Sequence, residues 1–146
     1  MPAPLVFRTT HRIRFSDVDA YQHMSTAKYA TYYVDHRMAG VRDNLGWDTK
    51  TFAALPYMVV VRRLEIDYVR PVRADQDITI TSFVREFRGP DALVECTMVD
   101  AAGKEASRCL MTVAFVDRET SRAADWPADV IALFYQKSAD AEKSAG

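Results

Sequence analysis

The chain has 146 residues, of which 49% are hydrophobic and 27% charged, and a formal net charge of −1. This suits one domain with a sizeable core, and it excludes a global field that would draw the protein to nucleic acid or a membrane surface. No stretch approaches the roughly 20 apolar residues of a membrane span, and the opening MPAPLVFRTTHR has no signal-peptide apolar run, so a cytoplasmic protein is expected.

Residues 8–16, RTTHRIRFS, alternate, with Ile13 and Phe15 on one side and Arg12, Arg14 and Ser16 on the other. Period two predicts a half-buried strand. From Thr26 the period changes: Ala27, Ala30, Val34, Met38, Val41 and Leu45 recur at three and four. That spacing predicts an amphipathic helix of about 20 residues, about 30 Å long. Ser25 or Thr26 is the expected N-cap, and Gly46 the expected end. Residues 49–55 read as a short second helix before Pro56.

Beyond Pro56 the pattern is β. Residues 57–69 predict a long strand with Leu64, Ile66 and Tyr68 on one face, and 77–87 a second with Ile78, Ile80 and Val84 sharing a face. RGPD at 88–91 signals a turn. Residues 92–99 and 104–117 predict a hairpin around DAAG. Trp126 to Lys137 reads as a short terminal helix, and 138–146, SADAEKSAG, as a disordered tail. The whole, 1–146, reads as a single domain. One long helix must bury its apolar face, and the sheet is the only surface large enough. The expected class is α+β, a curved antiparallel sheet wrapped around one central helix.

The stretch FSDVDAYQHMSTAKY joins the first strand to that helix. A loop carboxylate just before a helix N-terminus can supply a base or nucleophile, while the unpaired first N–H groups can stabilise a developing oxyanion. His11, His23 and His36 have no zinc-like spacing, and no cysteine joins them, so no metal is expected. Cys96 and Cys109 read as small apolar side chains in reduced strands. No Gly-x-Ser-x-Gly elbow, phosphate loop or dinucleotide fingerprint is present, and no cofactor is expected.

From Asp19 to Tyr29 the sequence is DAYQHMSTAKY, and 68–80 is YVRPVRADQDITI. With the order β–α–β–β–β–β, these segments resemble the hotdog-fold acyl-CoA thioesterases of the 4-hydroxybenzoyl-CoA thioesterase type. The resemblance is strongest to the bacterial long-chain acyl-CoA thioesterases, whose patterns run D-V-Y-Q-H-V-N-N-A-R-Y and Y-x-R-P-x-x-x-x-D-x-L-x-I. It covers about residues 8–135. Two positions depart: Ser25-Thr26 replaces Asn-Asn, and Asp75-Gln76 replaces Gly-Asp.

The resemblance implies hydrolysis of acyl-CoA to a free acid and CoA. It assigns the base or nucleophile to Asp19, which holds the family's acidic position. Thr26 and its backbone N–H, aided by Ser25, are the expected oxyanion donors. His23 either bonds the loop or touches the thioester, and Asp17 is expected to bond loop amides. Tyr29 belongs to an aromatic-rich helix face with Tyr32, Tyr33 and Trp47, and is a candidate substrate contact. Coenzyme A carries phosphates, so arginines should receive them: Arg88 first, then Arg63 and Arg62, with Arg70, Arg73 and Arg85 also available. The family pairs two hotdogs edge to edge, so a homodimer or homotetramer is expected, with strand 57–69 as the candidate edge. Two alternatives stand beside this reading: an acyl-carrier-protein thioesterase, and a non-catalytic hotdog that binds acyl-CoA.

Overall fold

A computed structural model describes residues 2–136; the expected tail, 138–146, and Lys137 lie outside them. The chain runs β1 (Phe7–Arg12), α1 (Lys28–Leu45), α2 (Thr49–Ala54), β2 (Tyr57–Tyr68), β3 (Asp77–Arg88), β4 (Asp91–Val99), β5 (Glu105–Asp117), β6 (Arg122–Ala123) and α3 (Ala128–Ala132). All pairings are antiparallel, in the order β1-β3-β4-β5-β2, with β6 hung on β5. This is the hotdog arrangement, an α+β sheet curled about α1. Among the described residues no helix is long and apolar enough to cross a membrane.

Alternation builds the sheet. In β3 and β4 every second residue is buried: Ile78, Ile80, Ser82 and Val84 face inward, as do Ala92, Val94, Cys96 and Met98. They meet Tyr29, Tyr32, Tyr33, His36, Gly40 and Val41 of α1. Gly40 is required there, because a Cβ would overlap the ring of Phe7 in β1. At the other end Gly46 closes α1 in the left-handed region, φ 72°, its N–H returning to the carbonyl of Arg42.

β2 has one departure from alternation. A bulge falls between Val61 and Arg63, so Val59 and Val61 on one side of it share a face with Leu64, Ile66 and Tyr68 on the other. One apolar row therefore runs the length of β2 toward α1. β2 is a sheet edge, as strand 57–69 was expected to be, and Val60, Val61 and Tyr68 are exposed on it.

Several boundaries differ from the sequence reading. β1 stops at Arg12, and residues 15–17 form a 3-10 turn that leaves Phe15 85% exposed. The ladder with β3 ends at Arg12↔Asp77, so Ile13 turns inward and Phe15 loses its strand partner. The terminal helix is limited to Ala128–Ala132. α1 starts at Lys28, two residues later than expected. Its N-cap is Ala27, with no side-chain hydrogen bond, so neither Ser25 nor Thr26 caps it. The reason is a preceding turn: the Ser25 carbonyl accepts from Lys28 N at 2.9 Å, while Ser25 N is taken by the Asp17 carbonyl at 2.8 Å.

Candidate active site

The loop from Val18 to Ala27 is knitted to its surroundings by backbone hydrogen bonds. Asp19 N donates to the His23 carbonyl and Gln22 N to the Asp19 carbonyl, both at 2.9 Å. Met24 N donates to the Val72 carbonyl at 2.7 Å, which docks the loop against the segment after β2. The tight return places Gln22 at φ 63°.

Below the loop lies an anchor. Asp17 is 2% exposed and accepts from the Tyr32 hydroxyl at 2.6 Å and from Arg14 Nε at 3.3 Å, with Lys28 Nζ at 3.8 Å. The Tyr32 bond, followed by the Arg14 and Lys28 cations, holds its carboxyl below the usual range against the opposing effect of burial. Its side chain thus bonds α1 and two cations rather than the loop amides expected; the loop amide of Ser25 is held by its backbone carbonyl instead.

Asp19 is exposed. Oδ1 accepts from Tyr21 N at 2.9 Å and His23 N at 3.4 Å, an Asx-type turn. These bonds fix the carboxylate and leave Oδ2 without a bond among the described residues. Asp19, His23, Thr26 and Tyr29 line one open cleft of about 290 Å³ with Tyr68 and Arg70. The N–H groups of Thr26 and Ala27, just ahead of α1, have no backbone acceptor among the described residues. The Thr26 carbonyl accepts from the Tyr68 hydroxyl at 3.0 Å, and the Tyr68 ring stands edge-on to Tyr29 at 4.8 Å.

Four expected residues are therefore brought together: Asp19, His23, Thr26 and Tyr29. Ser25 adjoins them in the chain but does not line the cleft. His23 Nε2 lies 3.3 Å from Arg73 Nη2, so the guanidinium donates to the ring. The phosphate candidates are elsewhere within the chain. Arg62 pairs with Asp91 at 2.9 Å, Arg63 with Glu65 at 2.6 Å, and Arg88 with Glu86 at 2.7 Å. Arg88 ends β3, whereas the cleft adjoins its Asp77 end, about 36 Å away at roughly 3.3 Å per residue. Arg88 does not line the Asp19 cleft. The arginines beside the cleft are Arg70 and Arg73, one lining it and one on His23. Tyr68 and Arg70 were the residues given too little weight, and both lie in the YVRP segment already singled out.

The sequence pattern of the Thioesterase-like superfamily matches residues 13–134. The chain is 24% identical over 117 residues to the long-chain acyl-CoA thioesterase FadM of Escherichia coli K12, covering 80% of this chain and 87% of that protein. A Staphylococcus aureus protein, SAV2348, solved in complex with CoA, superposes with a TM-score of 0.79 at 16% identity, covering 91% of this chain and 84% of the other. The DHNA-CoA thioesterase of Staphylococcus aureus superposes with a TM-score of 0.77 at 12% identity, over 97% and 92% of the two chains. The curled antiparallel sheet and the central helix thus have their counterparts among these proteins, and the chain belongs to the thioesterase-like superfamily in its hotdog form.

Proposed function

We propose that this protein hydrolyses acyl-CoA thioesters to a carboxylic acid and CoA. The observation that carries the reading is the shared cleft: Asp19, whose Oδ1 is pinned by loop amides, lines the same space as Thr26, whose N–H has no backbone acceptor among the described residues. Asp19 takes a proton from water as the water oxygen attacks the thioester carbonyl. The resulting oxyanion is held by Thr26 N–H and Ala27 N–H, assisted by the positive end of the α1 dipole. The C–S bond then breaks and the proton passes to the departing thiolate. His23, steered by Arg73, borders the thioester end, and Tyr29 and Tyr68 hold the chain beside it. Asp17 supports the loop from below.

The functional unit we propose is a dimer paired through β2. This strand is an unpaired edge with apolar residues exposed, a feature proteins usually cover. Antiparallel pairing of two copies sets the Tyr57 end of β2 in one chain beside the Tyr68 end of its neighbour, with the Arg62–Arg63 bulges near the middle. Arg62 reaches the end of the sheet that holds Arg88, because it binds Asp91, which faces Arg88 across the hairpin. In the dimer that end meets the nucleotide of the neighbour's substrate. The test is a hydrolysis screen over aliphatic and aromatic acyl-CoAs, read by release of free thiol. Turnover of a subset is expected; no thiol release from any member contradicts the reading.

A further inference from the structure

Arg37 is a cation without an anion. It lies midway along α1, half-buried, with its guanidinium carbon 4.3 Å over the ring of Phe7. Nη1 donates to the Ser82 hydroxyl at 2.9 Å. No carboxylate pairs with it among the described residues. Nε and Nη2 carry no bond there either. They are not sealed in, because every fully enclosed side-chain nitrogen and oxygen among the described residues has a partner. Burial lowers the guanidinium to about 10, which still leaves it charged at neutral pH.

Arg37 forms part of the wall of an apolar cavity of about 80 Å³ between α1 and the sheet, with Val34, Met38, Val59, Val61 and Trp47. Its guanidinium is held only by the Ser82 hydroxyl and the Phe7 ring, with no carboxylate beside it among the described residues. Nε and Nη2 form the side edge of the guanidinium fork, which matches the two oxygens of a carboxylate. The cavity extends from α1 across β3, β4 and β5 to Val59 and Val61 of β2, and the Asp19 cleft borders Tyr68 at the other end of β2. The row Val59, Val61, Leu64, Ile66, Tyr68 runs from one to the other, and Leu64 and Ile66 are only part-buried. From Lys28 to Arg37 the helix advances about 14 Å at 1.5 Å per residue.

Resting on the thioesterase reading, we infer that Arg37 binds a carboxylate at the far end of the acyl group. The substrate is then an acyl-CoA whose chain ends in a carboxylate in place of a methyl group. The chain lies along the β2 row, with its thioester at Asp19 and its terminal carboxylate on the free fork of Arg37.

The test compares three thioesters of one chain length, ending in a methyl group, a carboxylate and the methyl ester of that carboxylate. In the wild-type protein kcat/KM for the carboxylate should exceed the other two by roughly ten- to a hundredfold, the range for a charge-assisted hydrogen bond. Arg37→Met should collapse that ratio to one or below, since it keeps an apolar stem but removes the fork. Equal rates for methyl and carboxylate ends, or for ester and carboxylate, in the wild type overturn the inference; this comparison suffices if Arg37→Met fails to fold. If no thioester is hydrolysed, the thioesterase reading has failed. Calorimetry with the three corresponding non-hydrolysable thioethers then decides the Arg37 inference alone: tighter binding of the carboxylate supports it, and equal binding overturns it.

Discussion

The Tyr68 hydroxyl, at the end of the edge strand, donates a 3.0 Å hydrogen bond to the carbonyl of Thr26, just ahead of the central helix. This bond ties β2 to the peptide units whose N–H groups are proposed to hold the oxyanion. Tyr68→Phe removes the tie and little else, because the ring keeps its edge-on contact with Tyr29. A net hydrogen bond is worth about 0.5–1.5 kcal/mol, so kcat should fall by up to roughly tenfold with Tm almost unchanged. Steady-state kinetics beside a thermal melt checks this; an unchanged kcat removes Tyr68 from the account.

Ser25 and Thr26 depart from the Asn-Asn of the loop pattern that this stretch resembles. Neither hydroxyl caps α1, and the proposed oxyanion donors are backbone groups. Replacing both residues with Asn should therefore keep hydrolysis within roughly tenfold, about 1.4 kcal/mol, while altering the order of preferred acyl groups. An Asn-Asn variant that gains activity absent from the natural protein across a broad acyl-CoA panel contradicts this and favours a binding protein.

The nucleotide end has its own signature. Arg62→Ala and Arg88→Ala should raise KM for acyl-CoA with kcat nearly constant, since phosphate contacts are alike in the ground and transition states. The effect should vanish with a pantetheine thioester that lacks the nucleotide, and in the proposed dimer it should follow the neighbouring chain's site. Equal damage with both substrates excludes a nucleotide contact.

His36 predicts how stability depends on pH. The ring is 0% exposed, with Nδ1 2.6 Å from the Thr9 hydroxyl and Nε2 2.6 Å from that of Ser82. Burial, then the charge of Arg37, then His11, lower it from 6.5 to about 3. The folded protein keeps His36 neutral, while the unfolded chain takes up a proton below 6.5. Stability should therefore be level above pH 6.5 and fall steadily as the pH drops toward 3. His36→Gln lowers Tm overall but should flatten most of that limb; His11, also lowered by burial, retains a share. Calorimetric melts from pH 8 to pH 4 measure both slopes. A wild-type Tm that is constant from pH 6.5 to pH 4.5 contradicts a neutral buried His36.

The main elements were legible because their periods are clean. Ile78, Ile80 and Val84 mark the buried face of β3, and Gly46 marks the end of α1. Its start was not legible. Ser25 and Thr26 have the chemistry of caps, but a turn closed by the Ser25 carbonyl pushes the helix on to Lys28. The bulge at Val61–Arg63 was hidden in VVVRRL, where a single three-residue step keeps the apolar row on one face. Of the site, Asp19, His23, Thr26 and Tyr29 were readable because one loop and one helix start carry them. Arg88 stands at the end of β3 away from the cleft, a placement that a turn signal says nothing about. The Tyr32–Asp17 bond and the solitary charge of Arg37 arise only when helix, loop and sheet close together.

Asp19 carries the central claim, and Asp19→Asn tests it most directly. The amide oxygen can still accept from Tyr21 N and His23 N, so the loop and the melting temperature should survive. What disappears is the base. A positioned general base contributes about 10²–10⁴ in rate, so kcat should fall at least a hundredfold with acyl-CoA binding retained. An Asp19→Asn protein that turns over at a near-normal rate contradicts the account.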